Sequence, residues 1–336
     1  MKINMDNWSR EIIEAKDRRY LPVLYFPCVQ LTDHTVAETV HDGKKMADAM
    51  EATIKRFPEI IGAMTGMDLS VDTECFGAKV RFPENAVPAV EHAVIEKAEE
   101  VADLKVPDGR SGRVDIFLDA VVEAEKKITD RPTFGGQLGP FSLAANIMQM
   151  DKAMMAVITN KAEMHQLVEK ATAFLIERAK AYKEAGANGI LLAEPTAGIL
   201  SPKMAAEFSD QYVKQIVDAV QDEYFYVILH DCGSVTKMTD GMYGTGAKGL
   251  HFGNAVDMAT ICSQVPQDVL VFGNLAPADL FSKGREEIKD MTAELLEKTR
   301  QYPHFVLSSG CDVPPEVKLE NIDAMIQALR EFNRTV

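Results

Sequence analysis

The chain has 336 residues, 46% of them hydrophobic and 26% charged, a globular balance with room for one large α/β barrel or two smaller domains. Its formal net charge of −15 and the lack of any basic patch with interleaved aromatics exclude nucleic acid as a partner, because phosphates would be repelled. No apolar run nears the ~18 residues of a membrane span, residues 1–19 lack a signal-peptide core, and the five irregularly spaced cysteines suit a reducing cytoplasm better than a disulfide framework.

Apolar runs alternate with long amphipathic stretches from one end to the other. Strands are predicted at residues 22–29, 67–73, 133–137, 189–194, 226–230, 249–254, 269–274 and 305–309. Helical patterns lie between most of them, at 35–57, 162–185, 202–221, 257–265 and 285–301, with a closing helix near 317–332. Eight strands separated by helices in this length predict an α/β fold, a single (β/α)8 TIM-type barrel spanning 1–336. A doubly wound open sheet is the competitor, but no GxGxxG follows the first strand. Residues 77–130 break the repeat with an extended run, a proline-marked turn and polar helical sequence, and read as an insertion after the second strand or an elongated βα unit. The glycine-rich stretch Asp240-Gly241-Met242-Tyr243-Gly244-Thr245-Gly246 lacks the Lys-Ser/Thr of a phosphate loop and reads as a flexible connection.

His230-Asp231-Cys232-Gly233, answered by Ser309-Gly310-Cys311-Asp312, carries the strongest chemical signal. Residues two apart on a strand share a face, so His230 and Cys232 project together from the end of the run Tyr226-Val227-Ile228-Leu229, roughly 6.6 Å apart at the backbone. Cys311 follows a second strand, Phe305-Val306-Leu307. One imidazole and two thiolates suit Zn²⁺, and three protein ligands leave a fourth position for a substrate. A lone buried cysteine is usually only a small apolar residue, but three soft donors at strand ends ask for more.

Active sites of such barrels lie at the C-terminal strand ends. Those ends read Asp72, Gln137, Glu194, His230 with Cys232, Asn254, Asn274 and Cys311. By parity Ile190, Leu192 and Glu194 share the inward face. Gln137, Asn254 and Asn274 are the strand-end polar groups placed to contact a bound cofactor, although meeting water also explains Gln137 and Asn274.

His-x-Cys near strand five, the distant Gly310-Cys311 before Val313-Pro314-Pro315, and Glu320-Asn321-Ile322 together resemble the uroporphyrinogen decarboxylase superfamily. Within it they look like the corrinoid-dependent methylcobamide:coenzyme M methyltransferases and their bacterial relatives. The run from Gly135 to Ala144, and Met67-Asp68-Leu69-Ser70-Val71-Asp72 with Phe76-Gly77, are similar to that superfamily's third- and second-strand segments. The resemblance implies a TIM-type barrel, a metal set of His230, Cys232 and Cys311, and methyl transfer between a corrinoid protein and a thiol such as coenzyme M. A decarboxylase acting on a tetrapyrrole, with Asp72 as its catalytic carboxylate, is the alternative. So is a demethylating enzyme that loads the corrinoid from a small methylated substrate. True decarboxylases carry an arginine-rich first segment, whereas Phe26-Pro27-Cys28-Val29-Gln30-Leu31-Thr32-Asp33-His34 has no arginine. Related zinc enzymes often carry an acid where this chain has Asn254, which leaves Glu194 as the candidate fourth ligand. No cobalamin motif of the Asp-x-His-x-x-Gly type occurs, so the resemblance implies that the corrinoid arrives on a partner protein docking at the strand-end mouth.

Overall fold

The computed structural model describes residues 2–336. The strands are β1 (Ala63–Met64), β2 (Val80–Arg81), β3 (Ala89–Val90), β4 (Thr133–Leu138), β5 (Gly189–Ala193), β6 (Tyr226–Asp231), β7 (Gly249–Phe252), β8 (Leu270–Leu275) and β9 (Phe305–Ser309). Seven of them form one curled parallel sheet in the order β1-β4-β5-β6-β7-β8-β9. Each strand lies beside the next one of the sheet in sequence, as short helical crossovers dictate. Helices pack on it: Val114–Lys127 against β4, Lys161–Ala185 against β4 and β5, and Met258–Gln264 against β8. Every residue of β4, β5, β6, β7 and β9 is buried, the mark of a sheet covered on both faces. Tyr20 makes isolated parallel bridges to Ile60, just before β1, and to Leu307 in β9, so a single residue links the two edges of the sheet.

Six of the predicted strands fall on β4 to β9, and the first two need correcting. The strand expected at 22–29 contracts to the Tyr20 bridges, because Pro22 and Pro27 lack the N–H a ladder needs, and Phe26–Leu31 coils into a 3₁₀ turn with Pro27 near its start. The strand expected at 67–73 lies earlier, at β1. Asp68 Oδ1 accepts from the Ser70 N–H at 3.0 Å and so starts a turn that continues into the helix Ser70–Cys75. The glycine-rich stretch is not a loose connection either, since Thr239–Gly244 is helical and Met242 is buried.

Nothing sets residues 77–130 apart as a body of their own. Their helix, Val114–Lys127, packs on Gly43–Arg56 and on β4 as the crossover from β1. What precedes it is an excursion: β2 and β3 pair antiparallel, and a 3₁₀ turn covers Ala98–Val101. The excursion is fastened down. Val94 and Ile95 donate their N–H groups to the Ile147 carbonyl at 2.8 and 3.1 Å. The Lys170 ammonium donates to the carbonyls of Val101, Ala102 and Leu104 at 2.6, 3.0 and 2.5 Å. Among the described residues, no helix is long and apolar enough to cross a membrane.

Candidate metal centre

His230 lies in β6 and Cys232 just beyond it, while Cys311 follows β9 by two residues. The Glu194 N–H donates to the His230 carbonyl at 2.8 Å and the Gly253 N–H to the Asp231 carbonyl at 3.0 Å, so the end of β6 is held from both sides. The ligand atoms of His230, Cys232 and Cys311 all lie within 4.8 Å of one another. Donors about 2.0–2.3 Å from one tetrahedral zinc lie roughly 3.3–3.8 Å apart. The structure therefore brings the three donors within reach of a single ion, with a contraction of up to about 1 Å still to be made as they close on it.

One atom bears directly on occupancy. Nε2 of His230 is buried and has no hydrogen-bond partner, although His230 is only 3% exposed. An orphaned buried ring nitrogen costs roughly 1–3 kcal/mol unless something binds it. Its other nitrogen, Nδ1, lies 2.8 Å from Nδ1 of His251, whose Nε2 lies 2.9 Å from Ser308 Oγ. If the His230 Nε2 lone pair is to face an ion, Nδ1 must carry the proton and donate to His251, and His251 in turn donates to Ser308. Burial together with the neighbouring His230 holds His251 well below the usual imidazole range, so it stays neutral as this relay demands. Sequence reasoning missed His251. The available signal was its register opposite His230 on the adjacent strand. Replacing His251 by Phe is expected to weaken metal binding by about 10–100-fold, the usual cost of losing a ligand's orienting partner. Competition with a chelator measures it, and unchanged affinity would remove the relay from the site.

The thiols are electrostatically tied. A hydrogen bond from Cys311 and the charge of the nearby His230 ring lower the Cys232 thiol, and its thiolate pushes the Cys311 thiol up, so the two thiols share their protons unequally. Asp231, buried and accepting from the Gly233 N–H at 2.7 Å, is pushed up to about 8 by desolvation. Burial also raises Asp312 well above the carboxylate range, and its Oδ1 has no partner.

His230, Cys311 and Asp312 form one wall of a cavity of about 660 Å³. Further lining comes from the excursion, Val87, Pro88, Val90, Glu91, His92 and Ala93, and from the turn between two helices, Asn146 with Gln149, Met150 and Asp151. Sequence patterns gave no sign that the excursion covers the mouth.

The five other expected site residues do not line this cavity. Glu194 spends its carboxylate on the N-terminus of the helix Pro140–Met148: Oε1 accepts from the Phe141 N–H and Ser209 Oγ, Oε2 from the Ser142 N–H, each at 2.8 Å. It thereby satisfies donors the helix leaves open and meets the positive end of its dipole. Gly139 is required for this approach, since a Cβ there would collide with the Glu194 carboxylate. Among the described residues the metal-type cluster is His230, Cys232 and Cys311, without Glu194. Asp72 is fully buried, ion-paired with Arg178 and accepting from the Leu138 N–H at 2.8 Å. Gln137 donates to the Leu175 carbonyl of the outer helix at 3.2 Å. Asn274 clamps the turn after β7 by donating to the Gly253 and Val256 carbonyls at 3.0 and 2.9 Å, and Asn254 on that turn is exposed.

Comparison with known proteins gives a consistent frame. A family model described as uroporphyrinogen decarboxylase (URO-D) matches residues 19–332. The chain is 28% identical to the methylcobamide:CoM methyltransferase MtbA of Methanosarcina acetivorans, over 87% of this chain and 85% of that one. It is 26% identical to a uroporphyrinogen decarboxylase of Hydrogenovibrio crunogenus, over 83% of this chain and 81% of the relative. A solved methyltransferase from Methanosarcina mazei superposes with a TM-score of 0.86 at 24% identity, covering 96% of this chain and 97% of that one, which shows a shared fold.

Proposed function

Because the chain belongs to the uroporphyrinogen decarboxylase (URO-D) family, we propose that it is a zinc-dependent methyltransferase. It moves a methyl group between a methyl-Co(III) corrinoid carried by a separate protein and a small thiol. Coenzyme M is the acceptor that the names of several relatives print. The observation that carries the reading is the unpartnered, buried Nε2 of His230, set beside the thiols of Cys232 and Cys311, with His230 and Cys311 in the wall of a cavity. Zinc held by His230, Cys232 and Cys311 would favour the thiolate of an entering thiol at neutral pH, below its free pKa of about 8.5. The chain's own groups do the rest. His251 and Ser308 fix the His230 tautomer, the two cysteines balance the charge of the ion, and the excursion screens the cavity from water.

Glu194 and Asp72 act in this reading as positioning residues. Glu194 anchors the helix whose far end supports the cavity turn, and Asp72 with Arg178 fixes the end of β4. Asn274 holds and Asn254 borders the turn after β7 at the mouth, where the corrinoid partner docks, while Gln137 ties β4 to the outer helix. The sheet, with Tyr20 as eighth stave, is a (β/α)8 barrel, the chain 1–336 is one domain, and 77–130 is an elongated βα unit. Five free cysteines support a reducing compartment, the cytoplasm.

The alternative, decarboxylation of a tetrapyrrole, meets a lining without Lys or Arg to receive its carboxylates. Following the methyl-Co(III) absorbance of a methylated corrinoid protein tests the choice. Loss only when both this protein and a thiol are present is the expected result. Equal loss without thiol, or release of CO₂ from a porphyrinogen by zinc-free protein, contradicts it.

A further inference from the structure

The charge of the cavity restricts the ligand more narrowly than the relatives' names do. The ionisable side chains of its lining are Glu91, Asp151, Asp312, His92, His230 and Cys311, with no Lys or Arg. Ser70, which lines the cavity, and Arg113 behind it are already committed to carboxylates. Ser70 donates both its N–H, at 3.0 Å, and its hydroxyl, at 2.5 Å, to Asp68 Oδ1. Arg113 lies behind Ser70, donating to its Oγ at 3.1 Å, but the guanidinium is bound to Asp68 at 2.6 Å and Glu74 at 2.7 Å. Its single charge is thus outweighed by two carboxylates. The helix Met150–Thr159 begins at the lining, and its positive end carries its own first-turn acid, Asp151. Of the three lining carboxylates only Glu91 has a cation, Lys79 at 2.9 Å on the solvent side. Asp312 adds an unmet demand, because its buried Oδ1 lacks any donor from the protein.

We infer that the cavity selects a thiol or methylated compound with no anionic group, one that bears a hydroxyl or ammonium within reach of Asp312, and disfavours sulfonates and carboxylates. The inference rests on the proposed thiol chemistry at His230, Cys232 and Cys311. An ion held by two thiolates is already neutralised, and an entering thiolate adds a negative charge, so a second anion a few bonds away meets that charge and Asp151 with no lining Lys or Arg to offset them. A donor on the ligand instead satisfies Asp312.

Three thiols of one length separate the possibilities: 2-mercaptoethanesulfonate, 2-mercaptoethanol and 2-aminoethanethiol. Calorimetric titration of the zinc-loaded full chain is expected to give the hydroxyl and amine compounds at least about tenfold tighter binding than the sulfonate. Asp151→Lys alters an exposed residue and should narrow that gap by about tenfold, through tighter sulfonate binding and weaker amine binding. Asp312→Leu should weaken the hydroxyl and amine compounds and leave the sulfonate unchanged or tighter. The change from parent to variant cancels differences in the thiols' own acidity. Sulfonate binding as tight as the other two in the parent, or insensitive to Asp151→Lys, overturns the charge selection while leaving thiol chemistry standing. A protein that takes zinc and binds none of the three overturns the proposed function and this inference with it.

Discussion

Cys232→Ala with Cys311→Ala reduces bound zinc from about one per chain to background, and thiol-dependent loss of methyl-Co(III) falls to the rate seen without protein. Zinc affinity depends on its full set of deprotonated ligands, and the double variant leaves a single imidazole of the three donors. Both cysteines are only half-buried and sit after strand ends, so the sheet survives their truncation. Cys75→Ala serves as the control, because its thiol donates to the Ser111 carbonyl, in the segment leading into the helix Val114–Lys127. Metal analysis of the purified variants decides the matter. Parental zinc in the double variant would place the ion elsewhere.

Arg178→Met destabilises the fold by about 3–5 kcal/mol, the usual cost of stranding one member of a fully buried ion pair. Both side chains are wholly buried, and Arg178 also donates to the Gly136 carbonyl at 3.0 Å and to the Tyr182 hydroxyl at 3.2 Å. The pair bolts the long helix Lys161–Ala185 to the segment carrying Asp72, and Asp72 in turn receives the Leu138 N–H at the end of β4. Adding Asp72→Leu to Arg178→Met should recover much of the loss, because the stranded carboxylate goes with its partner. Urea unfolding of the two variants and the parent reads both effects. Arg178→Met as stable as the parent would mean that the carboxylate is not held by this pair and is available for another role.

Local pattern carried the sequence reading a long way. Most of the six strands β4 to β9 are largely apolar runs buried on both faces, and such runs announce themselves without long-range information. His230, Cys232 and Cys311 were legible as a group for the same reason, since their phase along two strands follows from a period of two. What was not legible depends on contacts between distant segments. The alternation Met67-Asp68-Leu69-Ser70-Val71-Asp72 mimics a strand, but the Asp68 side chain captures the Ser70 N–H and turns the chain. Glu194 ends its strand as expected, yet the open N–H groups of Phe141 and Ser142 draw its carboxylate, and only the folded helix presents them. The excursion reaches the cavity mouth because Ile147 and Lys170 pin it there, contacts spanning roughly 50 to 70 residues that no local period encodes.

Zinc-edge X-ray absorption on the purified protein tests the central claim most directly. The account predicts an ion bound by two sulfurs and one imidazole nitrogen, with one sulfur lost in Cys311→Ser. A parent spectrum with only oxygen and nitrogen neighbours, or one that Cys311→Ser leaves unchanged, would contradict it.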